Sequence, residues 1–136
     1  MRQLSACCVV QFEDASNDVH DVLLGFNHRK GGWENSGGRN EGNERVHETA
    51  IRELLEEVGF DTAKQPIQIV EMYNYEDDDG WLCVVFYAHC ASRFPPSLPE
   101  PQNHSSWKWH TRAELKAIEN EMTPACQNIL RRGAFL

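Results

Sequence analysis

The clearest structural pattern in the chain lies in residues 38–60, GRNEGNERVHETAIRELLEEVGF. From Val46 to Val58 the apolar residues recur every three or four positions, which is the period of a helix with one buried face. Glycines precede this run, and Gly59 follows it as a residue type that commonly ends helices. The pattern therefore predicts a helix over residues 44–58 that is entered from a glycine-rich loop.

Outward from this helix, the chain predicts strands and two further helices. Runs of β-branched and aromatic residues indicate strands, and glycine- or proline-rich segments indicate loops at 27–43 and 91–105. Thr111 is expected to cap a helix over residues 112–120, and Pro124 to begin the last helix. The predicted strands are residues 4–12, 19–26, 67–75, 81–90 and 107–110, with a hairpin turn at 76–80.

Three glutamates, Glu53, Glu56 and Glu57, crowd the edge of the buried face of the central helix. Their spacings bring the side chains within reach of one another, and each like-charge pair destabilises a helix by about 0.2–0.5 kcal/mol. A bound divalent cation would reverse that repulsion, and oxygen ligands favour the hard ions Mg²⁺ and Mn²⁺. A solvated acidic face is the alternative, and the helix alone leaves both interpretations open.

The residues around the helix decide between the two. From Gly38 the chain reads glycine, five residues, Glu44, seven residues, Arg-Glu-Leu, one residue, Glu-Glu, one residue, Gly-Phe. This arrangement resembles the signature of the Nudix hydrolase family, of which MutT is a member, at every defined position. The resemblance implies a Nudix fold, an α+β domain in which a mixed β-sheet lies between α-helices, formed by residues 1–136 as a single domain.

By this resemblance the three helix carboxylates are metal ligands and catalytic residues. Glu56 and Glu57 would be the principal ligands of Mg²⁺, with Mn²⁺ as the alternative ion. Glu53 would be a further ligand, or the carboxylate that orients or deprotonates the attacking water. A bound cation would acidify and position that water and would neutralise the charge of the diphosphate.

The resemblance assigns supporting roles to residues on either side. Arg52 would hold and orient a glutamate, Glu44 would support the loop or the metal shell, and the carbonyl of Gly38, or of the glycine before it, is a candidate ligand. Some family members use an additional glutamate or histidine from the long loop before the last strand as ligand or base. Glu100 and His104 are the candidates for that role here.

Candidate substrate contacts lie outside the signature. Positively charged residues beside the glycine loop are candidates to contact phosphates, with solvated charge as the alternative. Aromatic rings are candidates to stack on a base, with core packing as the alternative. In MutT-type enzymes that prefer oxidised guanine, an asparagine after the final Pro-Ala recognises the purine. Cys126 occupies that position here, which weakens an assignment to 8-oxo-dGTP. The candidates are Arg29, Lys30, Trp33, Arg39, Tyr75 and Cys126.

The resemblance implies hydrolysis of a nucleoside diphosphate linked to another group. A nucleoside or deoxynucleoside triphosphate is the favoured substrate, because the chain is short, like MutT, and has no room for an extra dimerisation domain. A dinucleoside polyphosphate or ADP-ribose is the second hypothesis. A non-catalytic nucleotide sensor with the same fold is the alternative from another class, and the intact helix glutamates argue against it.

Composition and charge exclude several classes of function. The 136 residues carry a formal net charge of −8, without the clustered Lys and Arg that hold a nucleic-acid backbone. Residues 1–10 lack a secretory signal, and no apolar run approaches the roughly 18 residues of a membrane span. Five cysteines without a C-x-x-C pair predict buried thiols. We therefore expect a cytoplasmic monomer or homodimer that acts on a small-molecule nucleotide and binds neither nucleic acid nor membranes.

Overall fold

The computed structural model describes residues 3–136 of the chain. Met1 and Arg2, which begin the segment compared with a secretory signal, lie outside the described residues. None of the helices within residues 3–136 has the length and hydropathy needed to cross a lipid bilayer.

One mixed sheet of seven strands forms the centre of the described structure. The strands are β1 (Leu4–Asp14), β2 (Val19–Asn27), β3 (Gly32–Glu34), β4 (Ser36–Arg39), β5 (Gln68–Glu76), β6 (Leu82–Cys90) and β7 (His104–His110). The helices are α1 (Val46–Glu53), which continues as a π-helical segment over Leu54–Val58, α2 (Arg112–Ala117) and α3 (Pro124–Arg132), with 3-10 turns at Ala15–Asn17 and Glu119–Glu121.

The central strand of the sheet is β1. It pairs in parallel with β6 on one side. On its other side it pairs antiparallel with β4 through its first half and with β2 through its second half. The remaining strands add antiparallel neighbours, with β3 and β7 on β2 and β5 on β6. The mixed sheet of the predicted fold class is confirmed.

Helices cover both faces of this sheet, as the predicted sandwich requires. The two faces bury separate apolar clusters because neighbouring strand residues point to opposite sides. The cluster on the α1 face includes Cys8, Val10, Leu23, Ala50, Leu54 and Val58. The cluster on the α2 and α3 face includes Val9, Val22, Leu24, Val85, Leu115, Cys126 and Leu130. The cysteines are free thiols, either buried or partly buried, as predicted.

The predicted helix over 44–58 is present with two differences. It begins at Val46, because Arg45 is extended and its N–H donates to the carboxylate of Glu48, which caps the first turn. Its last five residues widen into a π-helical turn before Gly59, whose φ of 77° ends the helix as expected. Periodicity predicts a regular helix, and it contains no signal for such a local widening, a feature that is frequent at functional sites.

The prediction of a loop over 27–43 is partly wrong, because this segment contains β3 and β4. Four residues, Ser36 to Arg39, pair with the first half of β1. A Cβ atom at Gly37 would lie 2.6 Å from the carbonyl oxygen of Ala6, so the two backbones approach as closely as they do because the residue is glycine. The glycines that suggested a loop are here a requirement for tight strand pairing.

The remaining elements follow the prediction with shifted ends. The hairpin of β5 and β6 is confirmed and carries a bulge between Glu71 and Tyr73. Strand β7 begins at His104 instead of Trp107, because its pairing with β2 extends to Asn27. The capping box at Thr111 is confirmed. Helix α2 ends at Ala117 instead of residue 120, and a 3-10 turn follows.

Candidate active site

Arg52, on α1, is the centre of a network of carboxylates. Its Nε and Nη2 atoms donate to the two carboxylate oxygens of Glu44 at 3.1 and 2.9 Å, and Nη2 also donates to the carbonyl of Arg39. Its Nη1 atom donates to Glu53 at 2.7 Å and to Glu56 at 3.1 Å. The guanidinium lowers the pKa of Glu44 to about 2. Arg52 therefore holds three carboxylates in place, whereas the sequence resemblance implies that it holds and orients one glutamate.

Glu57 is buried and hydrogen-bonded to β4, which we call the glycine strand. Its side chain is 7% exposed, and Oε1 accepts from Ser36 Oγ at 3.1 Å and from the N–H of Gly37 at 2.9 Å. Burial, together with the neighbouring carboxylates of Glu53 and Glu34, raises the pKa of Glu57 to about 9, while the hydrogen bonds from Gly37 and Ser36 act in the opposite direction. Such a group is stabilised by gaining either a proton or a cation.

Glu34 and His104 join Glu57 in a compact group. The Nε2 atom of His104 lies 2.9 Å from Glu34 Oε2 and 3.8 Å from Glu57 Oε2, and one ligand atom from each residue lies within 4.8 Å of the others. His104 was a candidate from the sequence, but Glu34 was not. Seventy residues separate Glu34 from His104 in the chain, and they meet because β3 and β7 flank β2, which no local pattern indicates.

Glu53 lies against Gly38, and Glu100 lies near it. A Cβ atom at Gly38 would lie 2.6 Å from Glu53 Oε1, so the carboxylate packs directly on the glycine backbone. Burial raises the pKa of Glu53, the charges of Glu56 and Glu100 raise it further, and Arg52 opposes them. The structure thus places the candidate ligand Gly38 against Glu53, with Glu100 close enough for its charge to act on Glu53, while Glu56 remains exposed on the side of Arg52.

A cleft of about 430 Å³ adjoins this site on the opposite face of the sheet from α1. Its walls are the glycine strand β4, the β5–β6 hairpin and the beginning of α3. Four of the predicted substrate contacts line it, namely Lys30, Arg39, Tyr75 and Cys126. Gly38 also lines the cleft, and it is the residue against which Glu53 packs. This glycine therefore lies between the cleft and the carboxylate of Glu53.

Two predicted contacts, Arg29 and Trp33, do not line the cleft. The ring of Trp33 packs edge-on against Phe26 and His110 with centroid distances of 5.5 and 4.9 Å, so it contributes to the core. Arg29 is exposed on the turn after β2. Packing against a strand that follows much later in the sequence decides the position of Trp33, and its aromatic character alone could not.

The two basic side chains in the cleft lining are already engaged. Lys30 Nζ donates to Glu34 at 3.0 Å, and the guanidinium carbon of Arg39 lies 4.5 Å from the ring centroid of Trp81. Both side chains line the cleft, as does Trp81. An aromatic ring with a stacked guanidinium offers a flat surface with positive charge at the cleft wall.

The donor set suits a hard divalent cation. The carboxylates of Glu53 and Glu57 are largely removed from water, and the charge of Glu53 raises the pKa of Glu57, so a cation placed between them would relieve both burial and repulsion. Carboxylate and carbonyl oxygens predominate, which favours Mg²⁺ or Mn²⁺. His104 adds one nitrogen at the edge of the group.

Solved structures share this fold at low sequence identity. The Caenorhabditis elegans Ap4A hydrolase binary complex has a TM-score of 0.74 at 18% identity, covering 96% of this chain and 95% of that chain. The NUDIX domain of Shewanella oneidensis NrtR complexed with ADP ribose has a TM-score of 0.78 at 18% identity, covering 98% and 87%. The Escherichia coli dihydroneopterin triphosphate pyrophosphohydrolase has a TM-score of 0.72 at 15% identity, covering 95% and 92%.

Sequence comparison gives the family itself. No curated protein sequence is significantly similar to the chain. The model of the NUDIX domain family, in contrast, matches residues 1–130, which include the whole signature and every element of the site. The chain therefore belongs to the NUDIX domain family, the family of hydrolases that its sequence resembles.

Proposed function

We propose that the chain hydrolyses a diphosphate bond in a nucleoside diphosphate linked to another group, with a divalent cation held by its helix glutamates. One observation carries the proposal. Glu53 and Glu57 contact the two glycines of β4, and these glycines also line the cleft. A phosphate chain lying along Gly37 and Gly38 would reach the carboxylates while the rest of the nucleotide occupies the cleft.

The helix glutamates would hold the cation. Glu53, Glu56 and Glu57 would be the ligands, with the carbonyl of Gly38 as a further oxygen and Glu100 as an additional candidate. When bound, Mg²⁺ or Mn²⁺ supplies an electrophile that neutralises the diphosphate and makes water a better nucleophile at neutral pH. This neutralisation matters because the chain itself carries a net charge of −8.

The protein's own groups would position the reactants. Arg52 holds Glu53 and Glu56 in place and is itself fixed by both oxygens of Glu44. The proton lost by the attacking water would pass to a carboxylate. Glu53 and Glu100 are the candidates, since the charge of Glu100 is close enough to raise the pKa of Glu53. No covalent intermediate with the protein is required.

A nucleoside or deoxynucleoside triphosphate remains our first candidate substrate. The short chain no longer favours it, however, because the C. elegans Ap4A hydrolase matches this chain over 95% of its own length. A dinucleoside polyphosphate is the second candidate, supported by that full-length likeness. ADP-ribose is the third, supported by the likeness to the NUDIX domain of NrtR in its ADP ribose complex.

A substrate panel with a site variant tests the proposal. Canonical and oxidised nucleoside triphosphates, dinucleoside polyphosphates and ADP-ribose would be assayed with Mg²⁺ for phosphate released after added pyrophosphatase or phosphatase. Glu57→Gln should abolish turnover of the best substrate while the fold remains intact, and Glu71→Gln, an exposed glutamate on β5, is the matched control. Full turnover by Glu57→Gln would contradict the assigned site, and turnover of no member of the panel would contradict the proposed reaction.

We further propose that residues 1–136 form a single domain. The sequence expectations of a cytoplasmic location, and of a monomer or homodimer without nucleic-acid or membrane partners, stay predictions. Size-exclusion chromatography with light scattering would give the oligomeric state.

A further inference from the structure

Asn35 has an unusual position in the cleft. It lies between β3 and β4, is 7% exposed, and belongs to the lining of the cleft. Both atoms of its side-chain amide, Nδ2 and Oδ1, are buried without a hydrogen-bond partner among residues 3–136. Buried amides are normally paired, and leaving one unpaired costs free energy that a side chain of similar shape without polar atoms would avoid. The fold alone therefore gives no reason for an asparagine at this position.

The lining around Asn35 contains polar side chains that already have partners. Glu34 accepts from Lys30 at 3.0 Å, and Thr123 Oγ1 accepts from the N–H of Cys126. Cys126 and Ile129 of α3 also line the cleft. The backbone N–H of Asn35 donates to the sulfur of Cys126, and burial raises the pKa of that thiol to about 12, so it is neutral. The side chain of Ser36 points the other way, to Glu57. Among the buried side chains of the cleft lining within residues 3–136, Asn35 is thus the one whose donor and acceptor both lack a partner.

The chemistry of the amide indicates which part of a ligand it suits. An asparagine side chain offers an N–H donor and a carbonyl acceptor on adjacent atoms. A phosphate would use the donor and leave the carbonyl oxygen facing an anion. The edge of a nucleobase presents a donor and an acceptor side by side, which matches both atoms of the amide.

We infer that Asn35 is a specificity-determining residue that recognises the base edge of a nucleotide bound in the cleft. The inference rests on the proposed function insofar as it places a nucleotide there. The phosphates would lie at the glycine strand, and the base would lie between that strand and the beginning of α3. Asn35 is 7% exposed, so a hydrogen bond between its amide and a base would form away from bulk water. A base that does not match the amide would leave buried polar groups unpaired and would therefore bind more weakly.

Binding of nucleoside 5′-monophosphates carrying the four RNA bases tests this inference without requiring hydrolysis. The variant Asn35→Leu removes both polar atoms at nearly constant volume. Isothermal titration calorimetry should show an affinity for the best-bound monophosphate that is lower by about tenfold, and a ranking of the four bases that is flattened. The melting temperature of the unliganded variant should equal or exceed that of the wild type, because an unpaired buried amide is gone.

The variant Asn74→Leu is the matched control, since Asn74 is exposed on β5 and is outside the cleft lining. It should keep both the affinities and the ranking. An unchanged ranking in Asn35→Leu would overturn the inference. So would a fall in melting temperature with an equal loss of affinity for all four bases, which would identify a structural amide held by internal water. Absence of monophosphate binding by the wild type would overturn it as well.

Hydrolysis measured on the same preparations separates this inference from the proposed function. If the wild type binds monophosphates with a base preference that Asn35→Leu abolishes, but hydrolyses no nucleotide in the panel, the proposed function fails and the role of Asn35 stands. If the wild type hydrolyses a nucleotide and Asn35→Leu retains the same base ranking, the function stands and the role of Asn35 fails.

Discussion

Replacing Gly38 with alanine should disable the site while leaving the fold in place. The added methyl group would lie 2.6 Å from the Cδ and Oε1 atoms of Glu53 and 3.0 Å from Oε2, whereas ordinary contacts begin at 3.4 Å. The carboxylate must therefore retreat by about 0.8 Å. The carboxylate is the end of the flexible Glu53 side chain, so this movement costs little stability. A misplacement of about 1 Å in a catalytic group can nevertheless cost about 100-fold in rate.

We therefore expect kcat/KM of Gly38→Ala to fall by about two orders of magnitude with a nearly unchanged melting temperature. The informative contrast is Gly37→Ala, whose methyl group would lie 2.6 Å from the backbone oxygen of Ala6. A backbone atom in a paired strand cannot move away as the end of a side chain can. That variant should lose stability as well as activity. Steady-state kinetics and thermal unfolding of the two variants check the reasoning. Wild-type kcat/KM in a folded Gly38→Ala would refute the claim that Glu53 must stay where it lies.

Other predictions concern charge and packing. Arg52→Gln should lower stability by about 1–3 kcal/mol in chemical denaturation, because Glu44 loses its two-pronged partner, and should also lower activity. With a Glu57 pKa of about 9, cation binding at pH 7.5 should release about one proton, measurable by calorimetry in two buffers of different ionisation enthalpy, and apparent affinity should rise with pH up to about 9. Without a cation, the same raised pKa means that the folded protein holds a proton the unfolded chain has lost, so the stability contributed by this group should decline from about pH 4.5 to 9. Leu54→Ala, at a fully buried position, should cost about 2–5 kcal/mol in chemical denaturation.

The sequence predicted those parts of the site that depend on neighbouring residues along the helix. Glu53, Glu56 and Arg52 lie within five positions, and the regular spacing of a helix is enough to bring them together. The π-helical turn after Glu53 was not predicted, because the spacing of apolar residues contains no signal for it. The helix start was predicted two residues too early, because Arg45 is extended and its N–H donates to the carboxylate of Glu48.

Parts that depend on distant pairing could not be predicted in this way. The contact of Glu34 with His104 requires the register of β2 with both β3 and β7. The unpaired amide of Asn35 is equally invisible in the sequence, where an asparagine before a serine and two glycines indicates a turn. Among the predicted substrate contacts, Trp33 differs from Tyr75 in its packing and not in its chemistry, so composition could not separate them.

The parallel pairing of β1 with β6 has a consequence for how the chain folds. Leu4 pairs with Leu82 and Phe12 with Cys90, so β1 can pair with β6 only after nearly 80 intervening residues have been synthesised. Pairs that are far apart in sequence close slowly, since the entropy of a long loop is lost before the contact forms. During synthesis β1 can pair first with the nearby β2 and β4, leaving one apolar edge open. We expect this open edge to be the point at which the nascent chain is most prone to aggregate.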